Sequence, residues 1–194
     1  MEITSARIKE LRDKTGISVM QCKRALEEAE GDMDKAVIIL KKKRSEAADK
    51  KSDRELGAGA IGAYVHNTNE VASLVLLACE TDFVSKNQEF IALAREIAMQ
   101  VAATNPTYVS KEQVPAEALQ KAKEVFQTEV EGKPAEMQAK ILEGKMASYF
   151  KEQILLEQPF IKNPETTISE MISGAVQKFG ENISVAQISR VSVK

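Results

Sequence analysis

Val71-Ala72-Ser73-Leu74-Val75-Leu76-Leu77-Ala78-Cys79-Glu80-Thr81-Asp82-Phe83-Val84 decides the fold: an apolar run stops at a polar corner, just ahead of an amphipathic pattern that begins near Ser85. Val71, Ser73, Val75 and Leu77 alternate with Ala72, Leu74, Leu76 and Ala78, so both faces are mostly apolar and the strand is expected to be central or covered. Upstream, Ala60 to His66 reads as a second strand, joined to it by the short polar loop Asn67-Thr68-Asn69 as a β-hairpin. Thr81-Asp82-Phe83-Val84 therefore sits at a strand-to-helix corner. Such corners lie at the surface, because a buried turn would strand backbone polar groups, and functional side chains are often presented there. Two readings stand. In one, Phe83 folds back into the core and Asp82 caps the following helix. In the other, Phe83 protrudes as an apolar wedge with a charge beside it, built to enter another molecule.

Before the hairpin, Gly57-Ala58-Gly59-Ala60-Ile61-Gly62 has the spacing of a dinucleotide-binding loop without its context. That motif needs a strand before it and a helix after it, so that phosphates meet a helix N-terminus. Here a charged stretch precedes and a strand follows, so the glycines are read as permitting a bend or close strand packing. The charged stretch, Lys41-Lys42-Lys43-Arg44 and on to Lys51, lacks large apolar residues and reads as a solvated helical extension or linker. A phosphate-backbone contact is the alternative, weakened by the acidic residues that follow. Further upstream three short helices make a small bundle. The first runs from Thr4, its cap, to Lys14, with Ile3 and Ile8 as a hydrophobic staple and Gly16 as its stop. The second runs from Ser18 to Glu30, with Ser18 and Gln21 at capping-box spacing and Val19, Cys22, Ala25, Leu26 and Ala29 on one face. Met20 falls off that stripe, beside Lys23, Arg24 and Glu27, and is expected in solvent. Asp32 caps the third, in which Ala36, Val37 and Leu40 face inward.

After the corner, Phe90, Ala94, Ile97 and Val101 share a helical face up to Asn105-Pro106. Pro115 opens another helix, with Leu119, Ala122 and Phe126 inward and Gly132 as its stop; Lys133 to Gln153 is a third, with Gly144 as a close-packing point. Thr167 and Glu170 form a capping box ahead of Ile168, Met171, Ile172, Ala175 and Phe179, and Gly180 ends that helix. Ile183 to Val193 alternates like a strand, with a phase slip at Ala186-Gln187-Ile188 that suggests a bulge, and should complete the sheet. The expected fold is α+β: a three-helix N-terminal module with a charged helical linker, residues 1–54, then an antiparallel three-stranded sheet packed with helices, residues 55–194.

The chain has 194 residues, 43% hydrophobic and 29% charged, enough for a packed core. A formal net charge of -2 gives no global basic field to draw nucleic acid nonspecifically. Cys22 and Cys79 lie inside apolar patterns and read as small buried hydrophobes. Met1-Glu2-Ile3-Thr4 begins no basic-then-apolar leader, and no apolar run is long enough to span a bilayer; the expectation is a cytoplasmic protein, in which Asn182-Ile183-Ser184 is a chance glycosylation pattern. His66, the one histidine, has no second ligand nearby and reads as a loop residue within reach of a partner. There is no GxSxG, GxxxxGK or CxxC, so neither a nucleophile with its base nor a metal or cofactor is expected, and the balance favours a binding protein over an enzyme.

Leu11-Arg12-Asp13-Lys14-Thr15-Gly16, with Val19-Met20-Gln21-Cys22-Lys23-Arg24-Ala25-Leu26 behind it, closely resembles the N-terminal signature of the elongation factor Ts family. Cys79-Glu80-Thr81-Asp82-Phe83-Val84-Ser85-Lys86-Asn87 resembles the second signature, while Gln158-Pro159-Phe160 and Gly180-Glu181-Asn182-Ile183 look like later motifs, so the resemblance covers the whole chain. It implies a guanine-nucleotide exchange factor for the GTPase elongation factor Tu, with a ubiquitin-associated-like helical module and a core for dimerisation and GTPase binding. Thr81, Asp82, Phe83 and Val84 match the motif that dislodges magnesium and phosphate contacts; Arg12, Val19 and Met20 match the N-terminal contact surface; His66 resembles a core position that touches the GTPase. Gln21 stands where the family commonly has Asp, and Leu76 and Ala78 replace Glu and Asn, departures that bear on strand-face contacts rather than the corner. The chain resembles the short bacterial form, in which a second copy supplies a missing half, so a homodimer is implied, with no direct nucleic-acid or membrane partner. The rival from another class is a ubiquitin-associated-like adaptor or RNA-binding accessory protein acting through residues 1–51; an unrecognised enzyme would turn over substrate with no protein partner.

Overall fold

Thr4, Ser18 and Asp32 each turn a side-chain oxygen back onto the backbone N–H three residues on, satisfying a donor the helix leaves free. In the computed structural model, which describes residues 3–130 and 134–193, these caps start α1 (Ser5–Thr15), α2 (Val19–Glu28) and α3 (Met33–Asp49). Gly16, left-handed at φ 68, closes α1 by donating its N–H to the Arg12 carbonyl. Leu11, Ile17, Cys22, Ala25, Leu26, Ala29, Ala36 and Leu40 form one apolar cluster between the three helices, with Ile3 and Ile8 against it. Ser18 caps as expected, but Gln21 does not answer it to close a box. Its Oε1 accepts from the Ser18 hydroxyl and from Gln177 Nε2 instead.

α3 runs straight through the basic stretch, whose cations are taken up inside the chain. Lys41 pairs with Glu170 at 2.9 Å, Lys42 with Glu46 and Lys43 with Glu28. Arg44 donates to the Thr15 carbonyl at 3.1 Å and to Gln177 at 3.3 Å. A phosphate backbone would have to compete with these partners.

The hairpin forms as β1 (Ala58–Val65) and β2 (Val71–Cys79). A single helical turn, α4 (Asp82–Ser85), follows, and then α5 (Gln88–Thr104), capped by Asn87. The long helix thus begins three residues later than the pattern near Ser85 suggests, because Thr81 and Asn87 each cap a turn of their own. α5 lies on the inner sheet face, where Val75, Leu77, Cys79, Phe90, Ala94 and Ile97 are sealed from water. At Gly62 a Cβ would stand 2.1 Å from the Ala94 carbonyl oxygen, so only glycine lets β1 approach α5 this closely.

α6 (Ala116–Val130) and α7 (Ala135–Gln153) pack on each other through Phe126 and Tyr149, edge to face at 5.5 Å. Leu119, expected inward, is exposed, and a Cβ at Gly144 would meet nothing within 4 Å, so Gly144 is no close-packing point. The Gly132 stop and the Lys133 start lie outside the described residues. A short hairpin that the pattern does not announce, β3 (Pro159–Phe160) with β4 (Asn163–Thr167), is stitched to α5 by the buried Gln100, which donates to Gln158 and Pro159 and accepts from the Ile161 N–H.

α8 (Ile168–Phe179) has the reciprocal Thr167–Glu170 capping box and ends at left-handed Gly180, with Phe179 edge-on to Phe90 at 6.0 Å. β5 (Ile183–Ser192) then completes an antiparallel sheet of order β1-β2-β5. Leu76 pairs with Gln187 but Leu77 with Val185, leaving Ala186 as the extra residue of a bulge at the expected slip. The fold is α+β, helices first and then the three-stranded sheet with its helices. β2 is central, yet only its inner face is covered: Ile61, Val65, Leu74, Leu76 and Val191 lie open on the other.

Candidate functional site

At the end of β2 the chain turns through Thr81 in an extended conformation, and its Oγ1 accepts the Val84 N–H at 3.5 Å. Thr81 rather than Asp82 is therefore the cap. Asp82 is the first residue of the turn, where its charge meets the positive helix end; it also accepts a 2.6 Å bond from Lys86 Nζ, and its carbonyl accepts the Ser85 hydroxyl at 3.1 Å. On so short a turn successive side chains point apart. Val84 takes the inward position at 3% exposure, and Phe83 is left at 82% exposure. Of the two readings of the corner, the one that folds Phe83 into the core is excluded. Leaving a phenylalanine in water forgoes about 2–3 kcal/mol of burial.

The turn is fastened from the far end of the sequence. Glu181 Oε2 accepts the Glu80 N–H at 3.1 Å and the Thr81 N–H at 3.0 Å, and Oε1 accepts the Thr81 hydroxyl at 2.6 Å. In return Glu80 Oε1 accepts the Asn182 N–H and pairs with Arg54 at 3.3 Å, while Asn182 Nδ2 donates to the Ser52 and Arg54 carbonyls. The Asn182 N–H, helped by Arg54, holds the Glu80 carboxyl below the usual glutamate range. Lys86 does the same for Asp82, so the charge beside Phe83 persists to low pH. Burial, with the Glu181 charge, pushes the Cys79 thiol up, and its Sγ donates to the Thr81 carbonyl at 3.2 Å; this is an unreactive cysteine. Glu80 and Glu181 have no marker in composition or periodicity; the sequence offers Gly180 as a helix stop and Asn182 in a chance glycosylation pattern, neither of which points to a brace on the corner.

Met20 stands 60% exposed at the start of α2, with Arg12 and Ile38 also in solvent. Val19, expected on the buried stripe, is half exposed, because it opens the helix before the stripe meets the cluster. This surface and the corner hang from the same end of α8. Gln21 beside Met20 accepts from Gln177, and four residues later Glu181 holds Thr81. His66 is exposed too, with the Tyr64 hydroxyl 3.1 Å from its Nδ1, but it lies at the opposite end of β2, roughly 27 Å from the corner at 3.3 Å per strand residue. Among the described residues no three His, Cys, Asp or Glu side chains are grouped to hold a metal ion. What the corner can do chemically is insert a ring and a carboxylate into another molecule.

A family model described as Elongation factor TS matches residues 49–194. The chain is 48% identical over 190 residues to the elongation factor Ts of Carboxydothermus hydrogenoformans, covering 97% of this chain and 88% of that one. It is 46% identical over 194 residues to that of Thermodesulfovibrio yellowstonii, covering 100% and 97%, and 44% identical over 195 residues to that of Fervidobacterium nodosum, covering 100% and 99%.

Proposed function

The chain belongs to the elongation factor Ts family, and from that premise we propose that this translation elongation factor is the guanine-nucleotide exchange factor of elongation factor Tu, acting in the cytoplasm by binding alone. A GTPase holds its nucleotide largely through phosphate contacts and magnesium, so an exchange factor works by favouring a partner conformation in which those contacts are broken. Phe83 is the wedge, Asp82 the charge beside it near the partner's magnesium and phosphate site, and Thr81 and Val84 the two ends of the turn that hold them. Residues 1–54 form the docking module, contacting the GTPase through Arg12, Val19 and Met20, and residues 55–194 form the exchange core, with His66 as a further contact. Accelerating release a thousandfold takes roughly 4 kcal/mol of differential stabilisation. A few desolvated anchors supply that much. By linkage, nucleotide weakens factor binding as much as the factor weakens nucleotide binding.

The observation that carries this reading is the ring of Phe83, 82% exposed on a turn whose neighbouring residue is anchored in the core. The open, uncharged outer sheet face supports a homodimer in which a second copy covers it. Among the described residues no helix is long and apolar enough to cross a membrane. The test is labelled-GDP release from elongation factor Tu with wild-type chain and Phe83→Ala; acceleration close to wild type would remove Phe83 from the mechanism.

A further inference from the structure

The last pair of the β2–β5 ladder is Cys79 with Ile183, so the N–H groups of Glu80 and Thr81 project beyond the sheet without strand partners. Both donate to one carboxylate, Glu181, which also accepts the Thr81 hydroxyl at 2.6 Å. A hydroxyl has one proton, and committing it to Glu181 leaves only lone pairs on Oγ1 to face the Val84 N–H. That acceptor is what starts α4, and α4 sets where Phe83 points. Glu181 is itself aimed by left-handed Gly180, which redirects the chain at the end of α8. Its neighbour Asn182 ties the same node to the segment leaving α3 through the Ser52 and Arg54 carbonyls.

We infer that Glu181 is a positioning residue for exchange: by holding Glu80 and Thr81 from the end of α8 it fixes the α4 turn and so pre-orients Phe83 for insertion. A wedge that is ordered before contact loses less freedom on binding, and more of its interaction goes into displacing nucleotide. The inference rests on the exchange reading above. It differs from a mere fastening of the sheet end in what it predicts, because a loosened turn slows the exchange step while docking through the N-terminal module continues.

The test compares Glu181→Gln, Phe83→Ala and the core variant Val101→Ala in the full chain. Gln keeps the size of Glu but has one acceptor oxygen in place of two, so its NH2 group meets either the two N–H donors or the Thr81 hydroxyl, whose lone pairs it would then draw from the Val84 N–H. Glu181→Gln should lower kcat for GDP release from elongation factor Tu about tenfold, the scale of one lost charge-assisted hydrogen bond. KM should stay within about twofold, well inside RT-scale differences. Val101→Ala should melt at a temperature no higher than Glu181→Gln yet keep its exchange rate. A partner-free readout accompanies these: amide hydrogen exchange at Val84 should quicken in Glu181→Gln while that of Val75 on β2 does not. If Phe83→Ala slows release but Glu181→Gln neither slows it nor frees the Val84 amide, the positioning role is wrong and the exchange reading survives. If Val101→Ala loses as much activity as Glu181→Gln, Glu181 is structural only. If Phe83→Ala is silent, Phe83 is not the wedge though exchange stands, and the Val84 amide alone decides whether Glu181 holds the turn. Should Glu181→Gln not fold, Glu181→Asp, which keeps the charge but shortens the reach to the Glu80 and Thr81 N–H groups, is read in the same way.

Discussion

Phe83 and the outer face of the sheet are both apolar and both open to water, and they are built in opposite ways. Phe83 is one ring on one turn, flanked by the Asp82–Lys86 ion pair and held by Thr81, Val84 and Glu181. The sheet face is laid out in rows across three strands: Ile61, Leu76 and Gln187; Ala63, Leu74 and Ser189; Val65, Ala72 and Val191, with no charged residue among them. A lone ring concentrates its contribution in a pocket elsewhere, as the few dominant residues of an interface do. A broad, uncharged, pleated face has no point to concentrate on and gains only by meeting another surface of matching shape, most simply itself across a two-fold axis. In the proposed function the difference would separate two jobs, perturbing a partner and pairing with a second copy, and that separation can be broken by substitutions that touch one region at a time.

The largest effect is expected at the ring. Phe83→Ala should slow factor-stimulated GDP release about a hundredfold, corresponding to the ~3 kcal/mol typical of a central aromatic anchor. Sedimentation should show its self-association unchanged. Next comes the face: Leu74→Glu puts a charge at the middle of the central strand and should weaken self-association by about thirtyfold, the scale of ~2 kcal/mol for an unpaired charge at an interface. If Leu74→Glu abolishes release at concentrations that restore the dimer, the sheet face itself meets the GTPase and the separation of jobs fails.

How much of this was legible beforehand differs by region for physical reasons. Caps write themselves into sequence, so Thr4, Asp32 and the Thr167–Glu170 box were readable, and a phase slip in alternation located the bulge at Ala186. The hairpin of Pro159–Phe160 and Asn163–Thr167 was not, because two residues show no alternation and its support is a glutamine on a distant helix. Gly144 was misjudged because a mid-helix glycine signals cost without saying whether anything presses against it. At the corner, a four-residue turn has no period, so nothing local could say whether Phe83 or Val84 turned inward. The brace was hidden most deeply, since Glu181 lies 100 residues from Thr81 in sequence and no short-range pattern joins them.

The N-terminal patch offers a sharper contrast with the ring. Met20 is exposed on a helix tied to α8 by the Gln21–Gln177 hydrogen bond and borders Lys23 and Arg24, a setting that suits binding. Met20→Ala should raise KM for the GTPase about fivefold, or ~1 kcal/mol, with kcat unchanged. A fall in kcat at constant KM would place Met20 with Phe83 in the working part of the molecule.

The smallest effect is that of acid on the brace, and its sign follows from Glu80. The Asn182 N–H, then Arg54 and Lys51 against some desolvation, hold this carboxyl below the ordinary glutamate range, and Lys86 lowers Asp82 likewise. A group whose folded pKa is depressed contributes fully above its unfolded value and loses that contribution as pH falls through the folded one. The remaining titratable neighbours are Glu181, which faces the backbone, and the Cys79 thiol, which burial keeps protonated. The Glu80–Asn182 tie should therefore hold from pH 7 down to about 4.3, the unperturbed glutamate value, and loosen only below it. The Asn182 amide resonance reports this directly, with a titration midpoint below that of an ordinary glutamate, and Glu80→Gln should abolish the transition. A midpoint at or above the ordinary value would mean that the Glu80–Asn182 bond is not kept in solution. Glu181 would then hold Thr81 without a reciprocal tie, and the ring would have more freedom than the sheet beside it.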